Sequence, residues 1–550
     1  MTQHSNAAPR RALNVGGPDW WRGAVIYQIY PRSFQDSNDD GIGDIPGITK
    51  RLAHIADLGA DAIWLSPFYP SPMKDFGYDV SDYRGVDPMF GTLDDFDAMV
   101  EQAHKLGLRV IIDQVLSHTS DQHPWFKESR RSRSNAKADW FVWTDAKPDG
   151  TPPNNWLSIF GGPAWQWDTA RGQYYLHNFL AEQPDLNFHN DAVQDALLDE
   201  VRFWLDRGVD GFRLDTVNFY FHSAGLQNNP PLPTNAEDPN PYNRQSHQFD
   251  KNQPENLAFL KRFRALLDEY PGTTSVGEVG EGERSLEIMA AYTSGGDKLH
   301  MCYTFDFLSD TFSPGYFRER IESFEAVAGD GWPCWAFSNH DVRRHVSRWA
   351  PDAAALPAVA KLAGTLLTCL RGSLCLYQGE ELGLPEAELS YEDLQDPVGI
   401  RFWPKLKGRD GCRTPMVWQT QAPEGGFTDG KPWLPIPEDH RALAVDRQTE
   451  DSEAILAHYQ ALLNFRAKEP ALRLGAIEFI ETPDGLLAFR RSDSATTILC
   501  VFNLKAAEVD WVLPSGSRYE AVNGPFREGV ATDDRVDLPG FGAFLARESR

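Results

Sequence analysis

The sequence predicts an α/β fold: a (β/α)8 TIM barrel with a domain inserted in it and a C-terminal antiparallel β domain behind it. Three observations predict it. From Ala24 onward, short β-branched or aromatic runs alternate with longer helix-patterned segments. The alternation yields eight strands, the number that closes a parallel barrel. Beyond Leu472 it gives way to short strands separated by turn signals.

Taken in order, Val25 to Tyr30 reads as the first strand, Ile48 to Leu58 as a helix, Ala62 to Leu65 as the second strand, Leu93 to Leu106 as a helix and Arg109 to Leu116 as a buried third strand. After Ser117 the rhythm stops for about sixty residues rich in Trp, Pro, Gly and Asn, too long for a structureless loop. Residues 118–182 are therefore expected to form an inserted domain, with Trp-rich stretches such as Trp165-Gln166-Trp167 walling the site. The helix Ala192 to Arg207 and the strand Gly211 to Asp215 resume the barrel, and the polar, Pro/Asn-rich residues 218–254 read as a lid-like insertion. Four more pairs follow: Leu257 to Glu269 with Thr274 to Val279, Ser285 to Tyr292 with Cys302 to Phe305, Tyr316 to Val327 with Cys334 to Phe337, and Ala353 to Arg371 with Leu374 to Tyr377. After a long loop the helix Glu453 to Lys468 ends the pattern. The barrel thus takes residues 1–117 and 183–471, and residues 472–550 form the β domain, with strands such as Leu486 to Arg490 and Thr497 to Phe502.

Composition narrows the function. Of 550 residues, 79 are Asp or Glu and 53 Lys or Arg, a net charge of -26 that repels nucleic-acid phosphates and anionic lipid headgroups. Neither nucleic acid nor membrane is an expected partner. The most apolar stretch, Pro357 to Tyr377, is interrupted by Lys361 and Arg371, and no apolar run follows Arg10 and Arg11 near the start. Six cysteines show no CxxC spacing, which favours reduced core thiols. A cytoplasmic monomer or homodimer without an organic cofactor is the expectation.

In a (β/α)8 barrel, residues at the C-terminal strand ends face the active site. Four ends carry suggestive groups: Asp113 to His118, Gly211 to Thr216, Val276 to Val279 and Phe337 to Asp341. The two-residue period of a strand puts Arg213 and Asp215 on one side, so that the guanidinium would hold Asp215 ionised, as a nucleophile requires. Glu278, between Val276 and Val279, has an apolar setting that would raise its pKa and keep it protonated as a general acid. One ionised and one neutral carboxyl is the requirement for glycosidic cleavage. A metal site is read in the acidic loop after the first strand. Asp36, Asn38, Asp40 and Asp44 fall at positions 1, 3, 5 and 9, with Gly41 at 6 and the Ile42 carbonyl at 7, the spacing of an EF-hand-like Ca²⁺ loop. Ca²⁺ is favoured, Mg²⁺ is possible, and the role would be structural.

These four strand-end segments resemble the signature regions of the α-amylase family of glycoside hydrolases. Gln183 to Asn187 and Gly408 to Met416 resemble the segments that mark its α-glucosidase and oligo-1,6-glucosidase branch. The match runs in order from about Trp20 to Leu472. The resemblance implies that residues 118–182 are the family's domain B and the C-terminal region its domain C. It implies Asp215 as the nucleophile, Glu278 as the general acid/base and Asp341 as a stabiliser bonded to sugar hydroxyls. Arg213 would orient Asp215, and His118 and His340 would bind hydroxyls of the glucosyl ring. In Asp75-Phe76-Gly77-Tyr78, Asp75 would pair with a distal arginine, Arg409 before Arg413, to hold the 4-OH and close the pocket, while Tyr78 stacks on the ring. Ser117 stands where the family's first region usually has an Asn that helps ligate calcium, so an amylase-type calcium site is not expected. Thr216, next to the nucleophile, goes with α-1,4 rather than α-1,6 preference, through a hydroxyl offered to the aglycone sugar. The implied function is a retaining, exo-acting α-glucosidase taking small neutral oligosaccharides such as maltose. Transglucosylation to alcohol or sugar acceptors is the alternative, and sucrose isomerisation and trehalose hydrolysis are further options. A non-catalytic barrel serving interaction is the reading from another class, and it would lack the three carboxylates.

Overall fold

The computed structural model describes residues 17–233, 238–524, 529–531 and 534–549. Arg10 and Arg11, and residues 234–237 of the lid-like insertion, lie outside the described residues. Along the chain come β1 (Val25–Ile29), the helix Ile45–Leu58, β2 (Ala62–Leu65), the helix Leu93–Lys105 and β3 (Arg109–Gln114). The first helix shows how local sequence sets these limits. Asp44 caps it by accepting from the Gly47 N–H, and Gly59 ends it at φ 102°, a left-handed conformation that costs glycine nothing.

Within the inserted stretch, β4 (Trp143–Thr144), β5 (Trp165–Asp168) and β6 (Gln173–Leu176) form a small antiparallel sheet. The barrel resumes with β7 (Gly211–Leu214), β8 (Thr274–Val279), β9 (Met301–Thr304), β10 (Cys334–Ala336) and β11 (Ser373–Tyr377), separated by helices. The eight barrel strands are hydrogen-bonded in the order β10-β11-β1-β2-β3-β7-β8-β9, all parallel. One parallel bridge, Cys302 with Pro333, joins β9 to the start of β10 and closes the circle. The C-terminal strands β12 (Ala476–Ile480), β13 (Leu486–Ser492), β14 (Thr497–Asn503), β15 (Val509–Val512), β16 (Arg518–Ala521), β17 (Val530–Ala531), β18 (Arg535–Leu538) and β19 (Ala543–Ser549) form a five-stranded and a three-stranded antiparallel sheet.

Strand periodicity divides the apolar residues into two layers. Phe212 and Leu214 of β7 and Val110 and Ile112 of β3 point outward into the core shared with the helices. Ile26, Ala62, Trp64, Ile111, Val276, Met301, Cys334 and Cys375 point inward, and Trp20 and Trp21 join them ahead of β1. The buried Arg466 and Arg491 donate to the Thr368 and Cys369 carbonyls, 2.6 Å each, satisfying the end of the helix Leu356–Cys369 and tying it to the C-terminal domain. All six cysteines are buried and unpaired. Among the described residues no helix is long and apolar enough to cross a membrane.

Candidate active site

Climbing the barrel interior, the inward positions change from apolar to polar one step before the strands end. Ile111 is followed by Asp113, Val276 by Glu278, Met301 by Tyr303, and Arg213 by Asp215 just past β7. The alternation that fills the core thus also delivers the charged groups to the mouth. Arg213 is the hub, with about 1% of its surface exposed. Its Nη1 lies 2.8 Å from Asp113 Oδ1 and 2.6 Å from Asp215 Oδ1, and its Nη2 lies 2.6 Å from Glu278 Oε1.

The surroundings of Glu278 differ from the sequence expectation. Val276 lies below it in the barrel core and Val279 turns outward, so no valine collar forms. Glu278 instead accepts from the Tyr303 hydroxyl (2.9 Å) and the Thr216 N–H (3.1 Å). Burial pushes its carboxyl up to about 7, against the pull of Arg213 and with the charge of Asp215 adding to the rise. Burial likewise lifts Asp215 to about 7 against Arg213, and Asp113 to about 6. One guanidinium cannot neutralise three buried carboxylates, so the group retains a proton near neutrality. The sequence leads one to expect Arg213 to hold Asp215 ionised; burial outweighs that pull and leaves Asp215 sharing the proton near neutrality. Asp341 behaves oppositely: burial opposes its charge, but His340, Arg409, Arg413 and Arg213 hold its carboxyl well below the usual range.

The far end of the cavity is closed by ion pairs. Arg409 Nη2 lies 2.8 Å from Asp75 Oδ1 and 2.7 Å from Asp396 Oδ1, and its Nη1 lies 3.2 Å from Asp341. Arg413 donates to the His340 carbonyl (2.7 Å) and to Asp341 (3.0 Å). Tyr78 stacks on His340 with centroids 5.4 Å apart and donates to Asp113 Oδ2 (3.1 Å). The His340 ring accepts from Gln28 at Nδ1 (2.7 Å) and meets the Tyr78 hydroxyl at Nε2 (2.5 Å). His118 lies between the Tyr78 carbonyl, Gln183 and Ser117, and burial lowers its pKa to about 4, so it is neutral.

Together these groups surround a cavity of ≈ 1020 Å³ lined by Asp75, Tyr78, His118, Asp215, Thr216, Glu278, Asp341 and Arg409. Arg213 and His340 lie behind this lining, where they act on Asp215, Tyr78 and Asp341 rather than on a ligand directly. The insertion contributes Asn240, Tyr242 and Lys251 to one wall. The inserted domain's part of the lining is not built of tryptophan: Ile159, Phe160 and Phe179 supply it, next to Asn240 and Phe219, while Trp156 and Trp165 stack on each other in the core of that domain. The Thr216 hydroxyl is turned to Asp215 (3.3 Å) and Ser117 (3.1 Å) instead of outward to a second sugar. Sequence reasoning did not single out Tyr303, Asp396 or Gln183 as site residues. Tyr303 was legible as the inward position two residues after Met301, whereas the other two arrive from loops with no periodicity to betray them.

The acidic loop offers only oxygen donors, the chemistry that suits Ca²⁺. Asp36 accepts from the N–H groups of Asn38, Asp39 and Gly41 and from the Thr428 hydroxyl, Asn38 accepts from Asp40, and Asp40 from Ile42. Asp44 is committed to Gly47 and Ser37 at the helix start. In this arrangement the loop folds on its own N–H groups, and among the described residues no three acidic, His or Cys side chains gather as around a cation.

The model of the α-amylase catalytic domain matches residues 28–475. A probable α-glucosidase of Rhizobium meliloti (strain 1021) is 62% identical over 536 residues, covering 96% of this chain and 97% of that protein. An oligo-1,6-glucosidase of Heyndrickxia coagulans is 37% identical, covering 90% of this chain and 94% of that protein. The crystal structure of an α-glucosyl transfer enzyme, XgtA, superposes with a TM-score of 0.94 at 56% identity, over 96% of this chain and 99% of that one.

Proposed function

Since the chain belongs to the α-amylase catalytic-domain family, we propose that its cavity is the active site of a retaining, exo-acting α-glucosidase that releases glucose from the non-reducing end of α-1,4-linked oligosaccharides such as maltose. The observation that carries the reading is Arg213, which bonds Asp215 with one terminal nitrogen and Glu278 with the other, each at 2.6 Å. Two carboxyls held by one guanidinium are close neighbours, as a double displacement requires. Asp215 attacks C1 while Glu278 gives its proton to the departing oxygen. Glu278, now ionised, then takes a proton from water, which attacks C1 and releases Asp215. Asp341, kept anionic by Arg409 and Arg413, accepts bonds from sugar hydroxyls and opposes the positive charge that develops on the ring. The Asp75–Arg409 pair ends the cavity at the far side of the first glucose, which supports exo-action.

Proton NMR during hydrolysis of p-nitrophenyl α-glucoside, whose leaving group is not a sugar, will show α-glucose as the first sugar product, with β-glucose appearing only by mutarotation. Initial β-glucose would exclude the mechanism. The second reading, transfer of the glucosyl group to an alcohol or sugar, is favoured by the likeness to an α-glucosyl transfer enzyme. The same spectra with added acceptor measure its share, as glucoside formed per glucose released.

The loop from Asp36 to Asp44 is further proposed to take a structural Ca²⁺, Mg²⁺ being the alternative, through Asp36, Asn38, Asp40, the Ile42 carbonyl and Asp44. Its donor set supports this, although the carboxylates would have to turn from N–H groups that now occupy them. Exhaustive dialysis against EDTA is expected to lower the melting temperature by a few degrees, with restoration by Ca²⁺. An unchanged melting temperature and a metal-free assay of the purified protein would end the idea. Six buried, unpaired thiols and the surface charge support a cytoplasmic protein, acting as a monomer or homodimer on neutral sugars.

A further inference from the structure

Lys251, near the end of the insertion, lines the cavity although only 5% of its surface is exposed. A buried ammonium persists in a protein when something pairs with it. Its Nζ donates to the Gly280 carbonyl (2.9 Å) and lies 3.4 Å from Glu281 Oε2. The rings of Phe219 and Tyr242 flank it, their centres 5.0 and 5.7 Å from Nζ. An ammonium has three N–H donors. Two face these partners, and among the described residues no third acceptor bonds it, which leaves one donor for a molecule in the cavity. Neighbouring segments hold the ammonium at this spot. Asn252 takes φ +60°, a left-handed value that Asn tolerates, and its N–H donates to the Asn218 carbonyl (2.8 Å). Its side chain donates to Glu281 and accepts from Asn218 (2.7 Å). Asn218 in turn donates to the Gly280 carbonyl (3.1 Å) and accepts from the Gly280 N–H (3.0 Å). Asn218 stands three residues after Asp215 and Gly280 two after Glu278, so the insertion is laced to the segments that carry both carboxyls.

The chemistry fixes what lies at this part of the cavity. The Asp75–Arg409 pair closes the cavity beyond the first glucose, so the departing group lies past Glu278, which protonates the oxygen between the two. Just past Glu278 the chain reaches Gly280 and Glu281, and with them Lys251. An ammonium alone would favour an anionic group, but the Glu281 carboxylate beside it offsets that charge. A donor and an acceptor 3.4 Å apart instead match two neighbouring hydroxyls of one sugar ring. We propose that Lys251 and Glu281 seat the leaving or accepting sugar, Lys251 donating to one hydroxyl and Glu281 accepting from the next, and so select a neutral sugar over a plain alcohol in that place. This inference rests on the α-glucosidase reading and adds to it the residues that choose the aglycone.

The test compares kcat/KM of the full-length protein on maltose and on α-glucosyl fluoride, whose leaving group is a single atom. Lys251→Met keeps the buried stem and removes the ammonium. It is expected to lose about twentyfold on maltose and less than about twofold on the fluoride, since only maltose brings a hydroxyl to Nζ. With the fluoride as donor, glucose as acceptor should give the variant about tenfold less disaccharide, while transfer to methanol is unchanged. In the wild type, one of the maltoses deoxygenated on the reducing ring should lose about as much as the variant loses on maltose, and in the variant that analogue should lose nothing more. A maltose-to-fluoride ratio that Lys251→Met leaves unchanged, whether both rates fall or neither does, would overturn the proposal and leave Lys251 a structural tie. So would a wild type that accepts every such deoxymaltose at full rate, a result that does not depend on the variant folding. A wild type inert toward both maltose and the fluoride would instead remove the α-glucosidase reading beneath it, so the two failures are separable.

Discussion

Asp215→Asn gives a folded protein whose maltose turnover is at least about 10⁴-fold lower, since loss of a covalent nucleophile leaves only binding and electrostatics to act. The same substitution raises the melting temperature at neutral pH. Asp215 is buried, beside Asp113 and Asp341, and its pKa stands at about 7 against 3.8 for the ordinary group. A carboxyl raised on folding disfavours the native state progressively as pH climbs from the unfolded value to the folded one. The gain from Asn is therefore absent near pH 4 and full above pH 7. Calorimetry at the two pH values checks the stability, and single-turnover kinetics check the chemistry. Activity within tenfold of wild type, or a drop in melting temperature at pH 7, would contradict the assignment or its electrostatics. Azide offered to the truncated variant Asp215→Ala with an α-glucosyl fluoride should yield β-glucosyl azide, because the small anion enters the space that the carboxylate filled.

Glu278→Gln is the second large effect: a loss of about 10² to 10⁴ in kcat on maltose, whose leaving oxygen needs a proton. With p-nitrophenyl α-glucoside the first step survives, because nitrophenolate leaves unaided, but water then lacks its base. A burst of nitrophenol followed by a slow steady state is the expected trace, and azide relieves the slow step by giving α-glucosyl azide. The sign of the pH effect follows from burial, which lifts Glu278 to about 7. The acid form is present below that pH and is lost above it, so wild-type kcat/KM falls on the alkaline side and the fall disappears in the Gln variant. Maltose hydrolysis at near wild-type rates, or an alkaline limb that survives the substitution, would move the acid role elsewhere.

Much of this site is legible in the sequence, for a definite reason. Strand alternation is a local property, and Arg213, Asp215 and Glu278 sit on strands whose inward faces it dictates. The spans of all eight barrel strands were read to within about two residues, because each is a buried apolar run bounded by turns. Loops gave less. Asp44 was assigned to a cation from spacing, while the same side chain caps a helix, since an Asp before Ile45-Pro46-Gly47 satisfies either pattern. The tryptophans of the inserted domain have the composition of a sugar wall, yet Trp156 and Trp165 pack on each other because two large rings lose more water together than at a rim, and Trp167 stays exposed beside Tyr174.

The barrel, the order of its parts and the carboxyls that face the mouth are legible along the chain, because periodicity and chemical type are written residue by residue. The charge those carboxyls carry is set only once the chain has folded. Asp113, Asp215, Glu278 and Asp341 lie far apart in the chain, and their ionisation depends on how many share each guanidinium once buried together. Arg213 serves three of them, so protons stay, whereas Arg409 and Arg413 converge on Asp341, so its proton leaves. Coulomb interactions act through distance, not through sequence separation, and distance is fixed only when the barrel closes.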